Sequence, residues 1–355
     1  MYRIISFSFA LIIYSSLIAA QDLTQRLDDL MRGKIDRPFI YVVLVSQGDK
    51  LIYERSFGTF GNPSKNSQVT IGSITKQFTA TIVLRLVDQG LIDLDIPINS
   101  YLPELTDSWA DKITTRHLLN HTSGIKAIGE PLEFEPGTKA KYSRFTTYVI
   151  AAKIAERVSN KSFKALISEL AQLSGIKLGL VFHPPLMKVA GVRAKYPNLV
   201  RGFKDYSLNE EDKRLREVTR VLTFSKEFVP ASGIIASVAA LHEWQRQLHK
   251  GNLLSKQSYQ EMITPYGKLH DYTYKFMDSG LGTFMVTRNG VQEIFQRGYS
   301  KDIGHLAGIS YFPKYDVTIT TVSNLCRNAK EPERIFVHHN AIKDLVLQHF
   351  QGTSP

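Results

Sequence analysis

Ser73 and Lys76 stand three residues apart in the stretch IGSITKQFTATIVLRLVDQGLIDLD, which runs from Ile71 to Asp95. A serine hydroxyl is a poor nucleophile until something removes its proton. On a helix, residues i and i+3 share a face, so Lys76 can reach back to the Ser73 oxygen. To act as the base, its amine must be neutral, against a free pKa of roughly 10.4. Burial and nearby positive charge both push it that way. A helix N-terminus adds backbone N–H groups where an oxyanion would develop. The same residues also read as the polar first turn of an ordinary helix with a solvated lysine, and S-x-x-K alone does not separate the two.

The elements that must hold this pair are legible from period and punctuation. Phe78, Ile82, Leu86 and Val87 recur at helical spacing after Lys76, and Gly90 supplies a stop. Upstream, DLTQRLDDLMRGKI carries Leu23, Leu27, Leu30 and Met31 at helical spacing. Then FIYVVLVSQGDKLIYERSFG gives two β-rich runs around Gly48-Asp49, a hairpin pattern. From about residue 92 to 265 the chain reads as helices and loops. Strand patterns return from Gly280, and EPERIFVHHNAIKDLVLQHF closes as a helix. The simplest arrangement is α+β: one antiparallel sheet built from both ends of the chain, flanked by terminal helices, with an all-helical insertion.

Bulk properties narrow the class. The 355 residues suffice for one large core or two medium ones, and 43% hydrophobic with 22% charged residues is ordinary globular composition. MYRIISFSFALIIYSSLIAA has one early charge, Arg3, then an apolar run ending in small residues. This predicts a signal peptide over residues 1–20, cleaved after Ala20, rather than a retained anchor, and hence a periplasmic or secreted protein. Residues 21–355 are then expected to form a single domain. The lone cysteine, Cys326, excludes an internal disulfide and reads as a packing residue. The net charge of +11 suits association with anionic surfaces. The lysines are scattered, without stacking aromatics between them, which argues against a nucleic-acid partner. No metal-ligand spacing, phosphate loop or G-x-S-x-G elbow is present, so neither metal nor cofactor is expected.

Several ordered segments give the opening stretch its context. The block IGSITKQFTATIVLRLVDQGLIDLDIPINSYLPEL is followed by ITTRHLLNHTSGI, FEPGTKAKYS, ASGIIASVAALHEWQRQLHKGNLLSKQSYQEMITP and GHLAGISYFPKYDVTITTVSN. Taken together, over roughly residues 40 to 325, the chain resembles the serine β-lactamase and penicillin-binding-protein family. The branch is that of class C β-lactamases, D-alanyl-D-alanine carboxypeptidases and related esterases. The resemblance implies a β-lactamase/transpeptidase-like fold, with Ser73 as acylated nucleophile, Lys76 as its activating partner and Tyr142 as the tyrosine that shares proton transfer. A phenol beside an ammonium loses its proton more easily and can shuttle it between nucleophile and leaving group. Without the other segments, Tyr142 reads as a half-buried core aromatic.

Two departures from the family pattern stand out. Its Tyr-x-Asn reads Tyr142-Ser143-Arg144 here, which puts a donor-only cation where an amide stood. Arg144 either turns inward, lowering the Lys76 pKa or binding a substrate carboxylate, or swings out to solvent. The third motif, normally His or Lys, then a small residue and Gly, is best matched by Gln296-Arg297-Gly298. Arg297 either replaces the usual cation in holding an anionic group or is an ordinary strand-end arginine. A backbone N–H near Tyr299 or Ser300 is the expected second oxyanion donor, with Gly298 beside it. Gly304-His305-Leu306-Ala307-Gly308 fits the following strand better. His121-Thr122-Ser123-Gly124 reads as a structural turn, Ser232 as a loop serine, and Asp93 and Asp95 as caps.

These readings predict an exported serine hydrolase that works through an acyl-enzyme on a D-alanyl peptide, a β-lactam or a small ester. The rival is a catalytically weak member of the fold that serves as a binding module.

Overall fold

Two strands, β1 (Ile40–Gln47) and β2 (Lys50–Gly58), are joined by Gly48-Asp49 alone, with Gln47 opposite Lys50. Gly48 has φ 53°, the left-handed conformation that such a two-residue turn demands. The structure is a computed structural model that describes residues 22–32, 40–58, 62–180, 193–205, 215–217, 228–271, 273–300, 303–326 and 335–352. The expected signal peptide lies outside the described residues.

Ahead of the hairpin, helix α1 spans 22–32. After it come β3 (Gln68–Thr70), a 3-10 turn (Gly72–Ile74) and α2 (Thr75–Asp88). The middle holds α3 (Thr115–Leu119), α4 (Thr146–Ser159), α5 (Phe163–Leu173), β4 (Leu178–Leu180), β5 (Phe203–Asp205) and β6 (Leu215–Glu217). It ends with α6 (Val229–Ser232), β7 (Ile234–Ser237), α7 (Val238–His249) and α8 (Lys256–Met262). Six strands follow: β8 (Gly267–Asp271), β9 (Lys275–Ser279), β10 (Phe284–Arg288), β11 (Val291–Ser300), β12 (His305–Phe312) and β13 (Val317–Ser323). Short β14 (Leu325–Cys326) and the final helix α9 (Val337–Gly352) complete the chain.

The main sheet has eight strands in the order β2-β1-β13-β12-β11-β10-β9-β8. Every pairing within it is antiparallel. Both ends of the chain therefore build one sheet, because Tyr41 to Gln47 pair with Ser323 to Val317. The period-2 alternation of β1 divides its side chains between two cores. Val42 and Leu44 join the large core with Phe78, Trp244, Ala307 and Val322. Tyr41, Val43 and Val45 face the terminal helices, packing with Leu23, Leu27, Ile342 and Val346.

The middle of the chain departs from the all-helical expectation. It carries α3 to α8, but β4 and β7 also join β3 in a three-stranded sheet, and β5 and β6 form another with β14. Runs of three or four residues are too short for alternation to register in a sequence.

Candidate active site

Ser73 sits in the 3-10 turn that leads straight into α2. Helix α2 is buried along nearly its whole length, including Phe78, Ile82 and Leu84, so the turn is rooted in the core. Gly72 takes φ 52°, and a Cβ there would lie 2.9 Å from Ser300 Oγ and 3.1 Å from the Tyr299 amide nitrogen. From the other side, a Cβ on Gly298 would overlap the Ile71 carbonyl oxygen. Two backbones thus touch, strand β11 against the Ser73 turn, and glycine on each side permits it. Pairing between β10 and β11 stops at Phe295, which leaves the last residues of that edge of β11 to meet the turn.

The second support comes from residues 230–234. Ile71 N–H donates to Ile234 O at 3.0 Å, Ile234 N–H to Thr75 Oγ1 at 3.3 Å, and Thr79 Oγ1 to Pro230 O at 2.6 Å. These bonds fix the Ala231 carbonyl above Lys76. The Lys76 side chain is fully buried. Its Nζ lies 3.3 Å from Ser73 Oγ, 2.8 Å from Arg144 O and 3.0 Å from Ala231 O. No carboxylate is among these partners. Burial holds its pKa below the ordinary lysine value, Tyr142 pulls the other way, and the Arg144 charge adds to the lowering.

Tyr142 closes the group. Its hydroxyl donates to Ser73 Oγ at 2.7 Å, and its ring centroid lies 5.2 Å from Lys76 Nζ. At 36% exposed, the phenol borders solvent while touching the buried pair. Ser73, Lys76 and Tyr142 therefore meet, although 69 residues separate the serine from the tyrosine.

The remaining sequence candidates divide. Arg144 contributes its carbonyl to Lys76, while its guanidinium is exposed and lies 5.2 Å from the Phe145 ring centroid. Gly298 meets the Ser73 turn as described. Ser300 is buried, with its Oγ close to Gly72 and without a hydrogen-bond partner among the described residues. Arg297 is not brought to the hydroxyl. Strand alternation turns it away from the face of Gly298, and its guanidinium pairs with Asp271 and bonds Thr273 Oγ1 at 3.3 Å. That geometry is at odds with a guanidinium held ready for substrate. Its neighbour Gln296 is buried, donating to Gly282 O at 3.1 Å.

Among the other residues singled out, Asp95 pairs with Arg116, Ser232 ends the one-turn α6, and Cys326 is buried on β14. Among the described residues, no cluster of three or more His, Cys, Asp or Glu is placed to hold a metal. The sequence reading missed what fixes the segment before Ser73. His305 on β12 accepts from the Thr70 N–H at 3.1 Å through Nδ1, and its Nε2 lies 3.0 Å from Val200 O. Nothing local signals this, because the partners stand 235 and 105 residues away.

The Beta-lactamase family model matches residues 27–339. The chain belongs to the Beta-lactamase family. Within that family it is similar to Penicillin-binding protein 4* of Bacillus subtilis, with 30% identity over 156 residues, covering 35% of this chain and 34% of that one. It is 36% identical over 93 residues to Esterase EstB of Burkholderia gladioli, covering 24% of each. These matches span a quarter to a third of the curated relatives' length. A solved D-amino acid amidase from Ochrobactrum anthropi SV3 shares the β-lactamase fold at a TM-score of 0.74 and 20% identity, over 94% of this chain and 98% of that one.

Proposed function

We propose that this Beta-lactamase family member is a serine hydrolase that forms an acyl-enzyme on Ser73. The observation that carries the reading is the environment of Lys76. A neutral amine has two N–H bonds and one lone pair. The Arg144 and Ala231 carbonyls, at 2.8 and 3.0 Å, take the two N–H bonds. The lone pair then faces the Ser73 hydroxyl at 3.3 Å.

In the proposed reaction, Oγ bonds to the substrate carbonyl carbon and the hydroxyl proton passes to Lys76 Nζ. The backbone N–H groups of Ser73 and Tyr299 flank the developing oxyanion. Tyr142 gives its phenolic proton to the leaving group as the bond to that group breaks, and recovers one from Lys76. Water then adds to the acyl carbon by the reverse proton path, releasing the acid and restoring Ser73.

The names of the relatives support a substrate with a hydrolysable acyl bond: a D-amino acid amide or peptide, a β-lactam or a small ester. Export through residues 1–20 as signal peptide, a single domain over 21–355, and a cell-wall peptide as natural substrate belong to the same proposal. No helix among the described residues is long and apolar enough to cross a membrane.

The test is covalent. The mature protein and Ser73→Ala are treated with a fluorescent penicillin and, separately, a fluorophosphonate ester, and intact masses are read. A single adduct on the unmutated protein alone is the expected result. No adduct with either reagent would overturn the hydrolase and favour a binding module.

A further inference from the structure

We infer that His121 is a positioning residue for Tyr142, holding the phenol against Ser73 by fixing the backbone on both sides of it. This rests on the proposed acyl-enzyme function and names the part that aims its proton shuttle.

Tyr142 lies in a stretch without regular structure, four residues before α4 begins. Its neighbours are both tied to one residue. The Lys141 N–H donates to His121 O at 2.9 Å, and the Ser143 N–H donates to His121 Nδ1 at 3.2 Å. The imidazole also lies beside the phenol ring, with centroids 4.7 Å apart. One side chain and its own carbonyl thus set the height, direction and tilt of Tyr142.

The platform beneath His121 is firm. Thr122 N–H and Oγ1 both donate to Asn120 Oδ1, at 3.1 and 2.6 Å, and Thr122 O accepts from the Gly137 N–H at 2.9 Å. His121 itself takes φ 65°, a conformation that most residues with a Cβ avoid. A turn alone would be served by glycine or asparagine at that φ. Histidine carries a cost there, and what it adds is the Nδ1 acceptor and the ring against Tyr142.

Accepting the Ser143 N–H requires a neutral ring, because a protonated imidazole offers only donors. The groups facing the ring are Lys76 from α2, Tyr148 from α4 at 5.5 Å between centroids, Phe284 from β10 at 6.1 Å, and Tyr142 itself. No carboxylate is among them. Burial pushes the His121 pKa down to about 3, so the ring stays an acceptor.

Two substitutions tolerate the backbone and differ in the acceptor. His121→Asn puts a carbonyl oxygen where Nδ1 stood; His121→Gly puts nothing. Turnover of an activated aryl ester is measured for each, alone and in a Tyr142→Phe background, with thermal midpoints to follow folding. His121→Asn is expected within about threefold of the unmutated kcat. His121→Gly is expected to lose on the order of 100-fold in kcat with KM little changed, the effect of misplacing a reacting group by about 1 Å. In Tyr142→Phe, His121→Gly should add less than about twofold, because residues that act through one another are not additive. Equal kcat for His121→Gly and His121→Asn, or the full glycine loss repeated in Tyr142→Phe, would overturn the inference. So would a loss beyond about tenfold in a folded His121→Asn, a criterion that stands even if glycine costs the fold. Failure of the acyl-enzyme reading is seen separately, as absence of a Ser73 adduct.

Discussion

At the scale of single residues the proposed chemistry rests on Lys76, buried with no carboxylate among its described hydrogen-bond partners. Lys76 is surrounded by two carbonyls, a hydroxyl and a phenol, and it is burial, opposed by Tyr142, that lowers its pKa. Gly298 is the backbone counterpart. Its missing Cβ lets β11 lie against Ile71, next to the serine. Gly298→Ala pushes the strand off the Ser73 turn and, in the proposed mechanism, takes the Tyr299 N–H out of register as an oxyanion donor. An ester-hydrolysis assay should show kcat/KM falling by about 100-fold or more; an alanine variant with full activity would remove β11 from the mechanism. Ser73 and Lys76 were legible as a candidate pair from type and spacing, whereas Tyr142 was legible only through the family resemblance of the ordered segments. The Arg144 and Ala231 carbonyls were not, since every residue has one and only folding selects which are used. Arg297 shows the converse. Its type suited a substrate carboxylate, but strand alternation and Asp271 decide where it points.

Among elements, α2 and the hairpin were readable from period and punctuation. The Gly90 N–H closes on Val87 O at 2.9 Å with φ 71°, the left-handed stop the sequence suggested. Strands of three or four residues left no such trace. The junction of α9 with β11 was equally hidden, because its partners are distant in sequence. Glu293 on β11 is fully buried and accepts from Lys343 Nζ at 2.6 Å, Ser310 Oγ at 2.7 Å and Arg288 Nε at 3.0 Å. Burial disfavours its charge, but Lys343 and Arg288 outweigh that and hold its carboxyl below the usual range. Lys343→Met leaves this carboxylate in the core with Arg288 as its remaining ion-pair partner. Denaturant unfolding should show a loss of about 3 kcal/mol. Lys126→Met, at an exposed pair with Glu130, should leave the unfolding midpoint almost unmoved. Equal effects for the two would mean that α9 is not anchored through this network.

For the molecule as a whole, histidine burial sets the acid limit. His121 and His249 have pKa values pushed down to about 3, and His242 and His305 to about 4, in each case chiefly by burial. Unfolded, each titrates near 6.5. Between those values the unfolded chain binds protons that the native state excludes, so stability falls as pH drops. Each such group contributes up to about 1.4 kcal/mol per pH unit. The thermal midpoint should fall steeply as pH drops from about 7 toward 4.5; a midpoint level across that range would contradict the burial. The shared sheet of both termini was legible, because its strands are long and alternate. Where the buried histidines would lie was not, since burial belongs to the fold and not to local sequence.

The most direct measurement is the rate of Ser73 phosphonylation against pH, with Lys76→Ala beside the unmutated protein. An uncharged Lys76 acting as base predicts a single-proton rise centred below the free lysine value of 10.5, lost in Lys76→Ala. A rise centred at the free value, or equal rates in the two proteins, would contradict it.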